Sequence, residues 1–217
     1  LALEQDGLMD AVRGAMSRYV DERVGVFGGS STSGIHSSEL AYRQRDPATG
    51  ALPADHHYRQ THNMFSVADF VSQYVQLRGF ANVVSTACSS SAKVFGIAQR
   101  MVQCGLIDAA IVGGVDSLCL TTLYGFNSLQ LLSPQKCAPF DAARDGISIG
   151  EGAAFILLER PDAAQPGDLL LTGVGESSDA HHMSAPHPQG LGARLAMQAA
   201  LDMAGLQPIA IDYINLH

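Results

Sequence analysis

Apolar and polar positions along this chain follow two periods. Residues 8–19 and 65–77 place apolar side chains three and four apart, the spacing of a helix that buries one face. In the second stretch Phe65, Ala68, Phe70, Val71, Tyr74, Val75 and Leu77 make a broad apolar stripe, and Gly79 ends it. Short apolar runs at 23–29, 82–87, 108–114, 153–158, 169–174 and 209–216 have the length and composition of buried strands. Residues 92–102 are apolar nearly all round, which predicts a helix enclosed within the protein. Residues 191–204 return to a one-faced helical pattern. The Gly/Ser-rich stretch 28–38 and the polar stretch 43–62, with Pro47 and Pro53, predict loops. Strands and helices alternate over short connections, so the expected fold class is α/β with a largely parallel sheet. Residues 161–167 make the best linker, which divides the chain into 1–165 and 166–217.

Composition narrows the classes of function. Of 217 residues 47 % are apolar and only 16 % are charged, which fits a globular chain and not a disordered one. So little charge predicts that part of the outside is covered by something else. The formal net charge of −8 argues against general nucleic-acid binding, which needs basic surface. No apolar run approaches the roughly 18 residues of a membrane span. The N-terminus, Leu1-Ala2-Leu3-Glu4-Gln5-Asp6, does not read as a signal peptide. Cys88, Cys104, Cys119 and Cys137 form no C-x-x-C pair, so they are expected as free thiols in a reducing cytoplasm.

Metal and cofactor signals are weak. His56, His57 and His62 cluster, as do His181, His182 and His187, but neither group has a helical H-E-x-x-H spacing. The 28–38 stretch matches neither a P-loop nor G-x-G-x-x-G, so no nucleotide is expected.

One place joins a reactive side chain to activating geometry. Thr86-Ala87-Cys88-Ser89-Ser90-Ser91 lies where a strand turns into the enclosed helix, so the Cys88 sulfur is expected at a helix N-terminus. There, unpaired N–H groups and the helix dipole favour a negative sulfur. A buried structural cysteine before a capping Ser run is the alternative. A thiolate nucleophile needs a polarising partner, and His217, at the tip of the final apolar run, is the candidate. Asp141, Arg144, Asp145 and Glu151 are expected to form an ion-pair network bracing the loop near the site.

Five ordered motifs resemble those of the β-ketoacyl-acyl-carrier-protein synthases, the elongating condensing enzymes of the thiolase superfamily. Val84-Ser85-Thr86-Ala87-Cys88-Ser89-Ser90-Ser91 resembles their active-site cysteine motif. Residues 108–116 resemble the strand after the nucleophile helix. Pro139-Phe140-Asp141-Ala142-Ala143-Arg144-Asp145-Gly146, leading to Gly150-Glu151-Gly152-Ala153, resembles a P-F-D-x-x-R-D-G…G-E-G-A signature. Residues 178–186 resemble an S-D-A-x-H-x-T-x-P loop, with Ser184 in place of Thr. Asp212-Tyr213-Ile214-Asn215-Leu216-His217 resembles the strand that ends in the family's first catalytic histidine.

The resemblance implies a thiolase-like layered α-β-α-β-α fold, of which the chain would hold the N-terminal half and the start of the C-terminal half. It places a second histidine, a lysine and a gating loop beyond His217. It implies decarboxylative condensation without a cofactor: Cys88 carries the acyl group, His217 polarises a malonyl thioester, Phe126 lines the acyl pocket and Thr32 lines its floor. The implied partners are an acidic acyl carrier protein, with Arg59 and Arg78 as candidate contacts, and a second copy or a related chain in a dimer. Cys88 distinguishes the chain from inactive chain-length-factor partners. Two alternatives stand beside this reading, a non-catalytic dimerising or carrier-binding module and a coenzyme A-dependent relative.

Overall fold

Four strands and six α-helices carry the architecture of the computed structural model, which describes residues 2–182 and 185–217. They run in the order α1 (Leu8–Arg18), β1 (Val24–Ser33), α2 (Ile35–Arg43), α3 (Ser66–Val75), β2 (Ala81–Val84), α4 (Ser90–Gln103), β3 (Ala109–Asp116), α5 (Leu120–Ser128), β4 (Gly152–Glu159) and α6 (Leu191–Ala204). The sheet order is β2-β1-β3-β4. β1 pairs in parallel with β2 and β3, and β4 runs antiparallel to β3 at the edge.

Strand alternation sorts the core into two layers. Val24 and Val26 of β1, with Ala109 and Ile111 of β3, pack with Val12 and Ala15 of α1 and Ala68, Val71 and Val75 of α3. Phe27, Ala110 and Val112 have the opposite parity and pack with Val94 and Ala98 of α4. The sheet therefore lies between α1 and α3 on one side and α4 on the other, a layered α/β arrangement. All of these side chains are buried, and each fully buried aliphatic contributes roughly 1.5–3 kcal/mol.

Asp108 ties the near ends of three strands together. Its carboxylate accepts from Arg23 Nε and Nη2 and from Arg160 Nη1, and its backbone N–H donates to Arg23 O. The Arg23 hydrogen bond holds the Asp108 carboxyl below its usual range, against the opposing effect of burial.

Several expectations need correction. β1 does not end at Gly29 but continues to Ser33, and α2 begins at Ile35, so strand and helix together take up all of the Gly/Ser-rich stretch expected as a loop except Gly34. The reason is local: Ser30 Oγ and the Asp116 carboxylate accept the backbone N–H groups of residues 31–33, which lets a Ser/Thr run stay extended. Helix α5 was not expected at all. The apolar runs at 169–174 and 209–216 form no strand among the described residues, and the second begins inside a 3-10 turn, Pro208–Ala210. The first of them packs on helices instead: Gln99 of α4 donates to Leu171 O, and Gly173 and Gly175 lie against the α6 backbone at Ala200 and Ala196.

Candidate active site

Cys88 sits at the bend between β2 and α4. After Val84 the chain breaks from extended structure, and Ala87 takes a left-handed conformation with φ of 53°. That conformation is uncommon for a residue with a Cβ and has to be held by its surroundings. Ser90 does the holding. Its buried hydroxyl accepts from Thr86 N at 2.9 Å and donates to Ala87 O at 2.6 Å, while its N–H donates to the same carbonyl at 3.1 Å. Ser89 Oγ donates to Thr86 O and also meets Thr86 Oγ1. With the turn closed on both sides, Cys88 is exposed. Of the other cysteines, Cys104 is exposed, Cys137 is half-buried and Cys119 is buried.

The turn is seated on the sheet through two glycines. Gly29 of β1 and Gly114 of β3 are register partners and face α4. A Cβ at Gly29 would lie 2.5 Å from the Ser90 carbonyl carbon and from Ser91 N. One at Gly114 would lie 2.5 Å from Ser91 Cβ. The start of α4 thus rests directly on strand backbone.

Thr32 is close to this seat and its hydroxyl is fully engaged. It donates to Asp116 Oδ1 at 3.1 Å and accepts from Ser117 N at 2.8 Å. Asp116 also accepts from the hydroxyls of Ser30 and Ser31 and from two backbone N–H groups, so it clamps the end of β1 to the end of β3.

Phe126 lies half-buried on α5. That helix is capped from α2: Glu39 accepts from Leu120 N, Thr121 N and Thr121 Oγ1 at 2.6–3.0 Å. Burial opposes ionisation of Glu39, but these donors outweigh it and lower its pKa to about 2. Glu151 Oε2 accepts from Leu118 N, two residues before the helix. Glu39 and Asp116 went unnoticed in the sequence because both act on segments more than 80 residues away.

The proposed ion-pair network is not there. Asp141, Arg144, Asp145 and Glu151 are exposed, and among the described residues no salt bridge joins any two of them. Each instead supports loop structure: Asp141 accepts from Ala143 N, Arg144 donates to Asp141 O and Asp145 accepts from Ser133 Oγ. Hydrogen bonds to nearby backbone meet the needs of exposed charges without a partner of opposite sign. Arg59 and Arg78 are both exposed, and Arg78 pairs with Asp21 and Glu22.

His217 is exposed at the end of the 211–217 segment, and among the described residues no hydrogen bond joins it to Cys88. In the 178–186 motif, Asp179 accepts from His181 N and His187 N, and the two imidazole rings lie 4.9 Å apart. Ser184 of that motif is outside the described residues. One concavity is lined by Glu4, Met9, Asp10, Arg13 and Tyr74, another by Leu8, Ala11 and residues 153–157; neither includes Cys88, Phe126 or Thr32. Among the described residues no group of three His, Cys, Asp or Glu is placed to hold a metal ion, and no helix is long and apolar enough to cross a membrane.

The chain matches the model of the beta-ketoacyl synthase N-terminal domain over residues 2–164 and that of the C-terminal domain over residues 170–217. It belongs to the beta-ketoacyl synthase family. A Staphylococcus aureus 3-oxoacyl-[acyl-carrier-protein] synthase 2 is 32 % identical over 213 residues, covering 90 % of this chain and 51 % of its own. A Rhizobium meliloti protein of the same name is 40 % identical over 154 residues, covering 65 % of this chain and 37 % of its own. Among solved structures, a ketosynthase from Xenorhabdus doucetiae, in complex with its chain length factor, is 43 % identical with a TM-score of 0.88. It covers all of this chain, which spans 53 % of its length. A beta-ketoacyl synthase from Burkholderia phymatum is 29 % identical with a TM-score of 0.80, covering 97 % of this chain and 54 % of its own. The chain spans about half the length of the curated relatives it matches. Its fold is that of the ketosynthases, the thiolase-like architecture.

Proposed function

We propose that this beta-ketoacyl synthase chain supplies the acyl-carrying cysteine of a condensing enzyme that makes 3-oxoacyl thioesters on an acyl carrier protein. The observation that carries the reading is the exposed Cys88 on a strained bend, locked by Ser90 at the start of α4. The Cys88 thiolate attacks the carbonyl of an acyl thioester, the carrier sulfur leaves as thiolate and takes a proton from water, and the acyl group stays on the Cys88 sulfur. A malonyl thioester then loses CO₂. Its enolate attacks the acyl-Cys88 carbonyl, and the sulfur departs as thiolate. Decarboxylation drives the step, so no cofactor is invoked.

His217 has the role of donating a hydrogen bond to the malonyl thioester oxygen as enolate charge develops, a contribution of roughly 3–4 kcal/mol per donor in comparable sites. Phe126 lines the acyl chain's pocket. Thr32 supports its floor through the Asp116 clamp, since its hydroxyl is already spent there. The two units of the chain divide near residue 165. We assign it to a reducing cytoplasm on its four free thiols. The partners are an acyl carrier protein and a second ketosynthase-like chain, a copy or a relative, as in the Xenorhabdus doucetiae ketosynthase and its chain length factor.

The test treats the protein with cerulenin, an acyl mimic that alkylates nucleophilic cysteines, and maps the adduct by mass spectrometry. An adduct on Cys88 supports the reading. An adduct on Cys104 or Cys137 that spares Cys88 overturns it.

A further inference from the structure

Beyond the cysteine turn, α4 carries a charged notch. Gly96 has no side chain, and a Cβ there would meet Val174 Cγ1 at 3.0 Å, Glu176 Oε1 at 3.1 Å and Arg100 Nη1 at 3.3 Å. Lys93 lies on one side of the notch and Arg100 on the other. Glu176 fills it, with one carboxylate oxygen on Lys93 Nζ and the other 3.6 Å from Arg100 Nη2. Lys93 and Glu176 are each about 30 % exposed, so the pair is stronger than a fully solvated one. The Lys93 hydrogen bond lowers the Glu176 pKa even though burial opposes it.

Local helix energetics do not explain Lys93. A cation near a helix N-terminus opposes the dipole and is mildly destabilising there. Its value comes from Glu176, 83 residues away in sequence.

The direction of the segment carrying Glu176 gives the notch its meaning. Leu171 O contacts Gln99, Val174 contacts Gly96, and Glu176 contacts Lys93. The segment therefore runs antiparallel to α4, towards the end that bears Cys88. Ser177 Oγ then donates to Gly192 O at the start of α6, and Asp179 packs on Gly192 and accepts from His181 N and His187 N. Glu176 is the last grip on α4 before the chain leaves it. Without that grip an extended strand, rising about 3.3 Å per residue, could slide along a helix rising 1.5 Å per residue.

We propose that Lys93, Gly96 and Arg100 form a latch in which Glu176 seats, and that this seating positions residues 177–182 beside the Cys88 end of α4. Glu176 and Lys93 are positioning residues. The proposal rests on Cys88 as the working end of α4. Its consequence is that access to Cys88 depends on a salt bridge more than a full helical turn away, and hence on ionic strength.

The test uses the 217-residue chain as wild type, Glu176→Gln, Lys93→Met and Lys93→Arg. Two measurements are made: hydrogen–deuterium exchange, and the ratio of the rates at which a bulky and a small thiol reagent modify Cys88, with Cys104 as the internal control. Loss of the latch is expected to raise the Cys88 ratio and the exchange of residues 174–180 roughly three- to tenfold in Glu176→Gln and Lys93→Met. Lys93→Arg is expected to stay near wild type, and raised salt to move wild type towards the variants. An unchanged ratio overturns the proposal. So does exchange that rises equally in β1 and β3, which would mark general loosening, or a Lys93→Arg variant that behaves like Lys93→Met. A cerulenin adduct away from Cys88 would sink the catalytic reading alone, because exchange and thiol access still report the latch.

Discussion

Gly29 of β1 supports Ser90 of α4 by backbone contact alone: a Cβ on the glycine would stand 2.5 Å from the Ser90 carbonyl carbon. Real Cβ atoms do not approach backbone so closely, and neither backbone can yield without moving the Cys88 turn. Gly29→Ala is therefore expected to destabilise the protein by about 1–3 kcal/mol, the usual cost of overpacking. It should also slow acylation of Cys88 more than alkylation of Cys104. Urea unfolding combined with thiol mapping measures both, and wild-type stability with a wild-type Cys88 rate would contradict the contact.

Capping of α5 by Glu39 should be separable from the rest of the fold. Glu39→Gln keeps one acceptor oxygen for three donors, so a loss of about 1–2 kcal/mol is expected. Amide protection should fall within α5 while β3 stays protected. Because the folded pKa is depressed to about 2, the contribution is complete above the unfolded glutamate value near 4.3. It is lost as pH falls from there through about 2. Hydrogen exchange at neutral pH, together with unfolding at pH 6 and pH 3, tests the position and the sign.

Asp108 gives a second acid-sensitive joint, at the opposite end of the strands. Its carboxyl is also held low, so its contribution is present above the unfolded aspartate value near 3.9 and declines as pH drops below it. Asp108→Asn keeps the shape but removes the charge facing Arg23 and Arg160, and about 1–3 kcal/mol of stability should go with it at pH 7. The gap between wild type and variant, followed by urea unfolding from pH 7 to pH 3, should narrow with acid. A constant gap would show that charge pairing is not its source.

How far the sequence could be read depended on whether the stabilising partner was near or far. The strands around Val26 and Ile111 and the helix around Val94 were legible, because an apolar run reports its own burial. The position of Cys88 was legible for a related reason: a cysteine between a β-rich run and a helix has only the bend to occupy. Helix α5 was not, since its cap is a glutamate on α2 and not a residue at its own N-terminus. The extension of β1 through Ser33 was hidden in the same way, its Ser and Thr residues being held by Asp116. The run at 169–174 shows the converse. Its leucines read as a buried strand, yet Leu169 and Leu170 are exposed, and only the stretch from Leu171 onward packs, on α4 and α6 and not on neighbouring strands.

In register across β1 and β3, Gly28 faces Gly113 and Gly29 faces Gly114, leaving a patch of sheet bare of side chains. On one side Val67 of α3 would stand 3.1 Å from a Cβ at Gly28, and on the other Ser91 of α4 presses on Gly114. The wall between the two helical layers carries no side chain there, behind the start of α4. Most of a protein interior damps a disturbance through interposed side chains. Here only peptide planes intervene, so added bulk at Val67 is expected to press on the bend that carries Cys88 from the far side of the sheet.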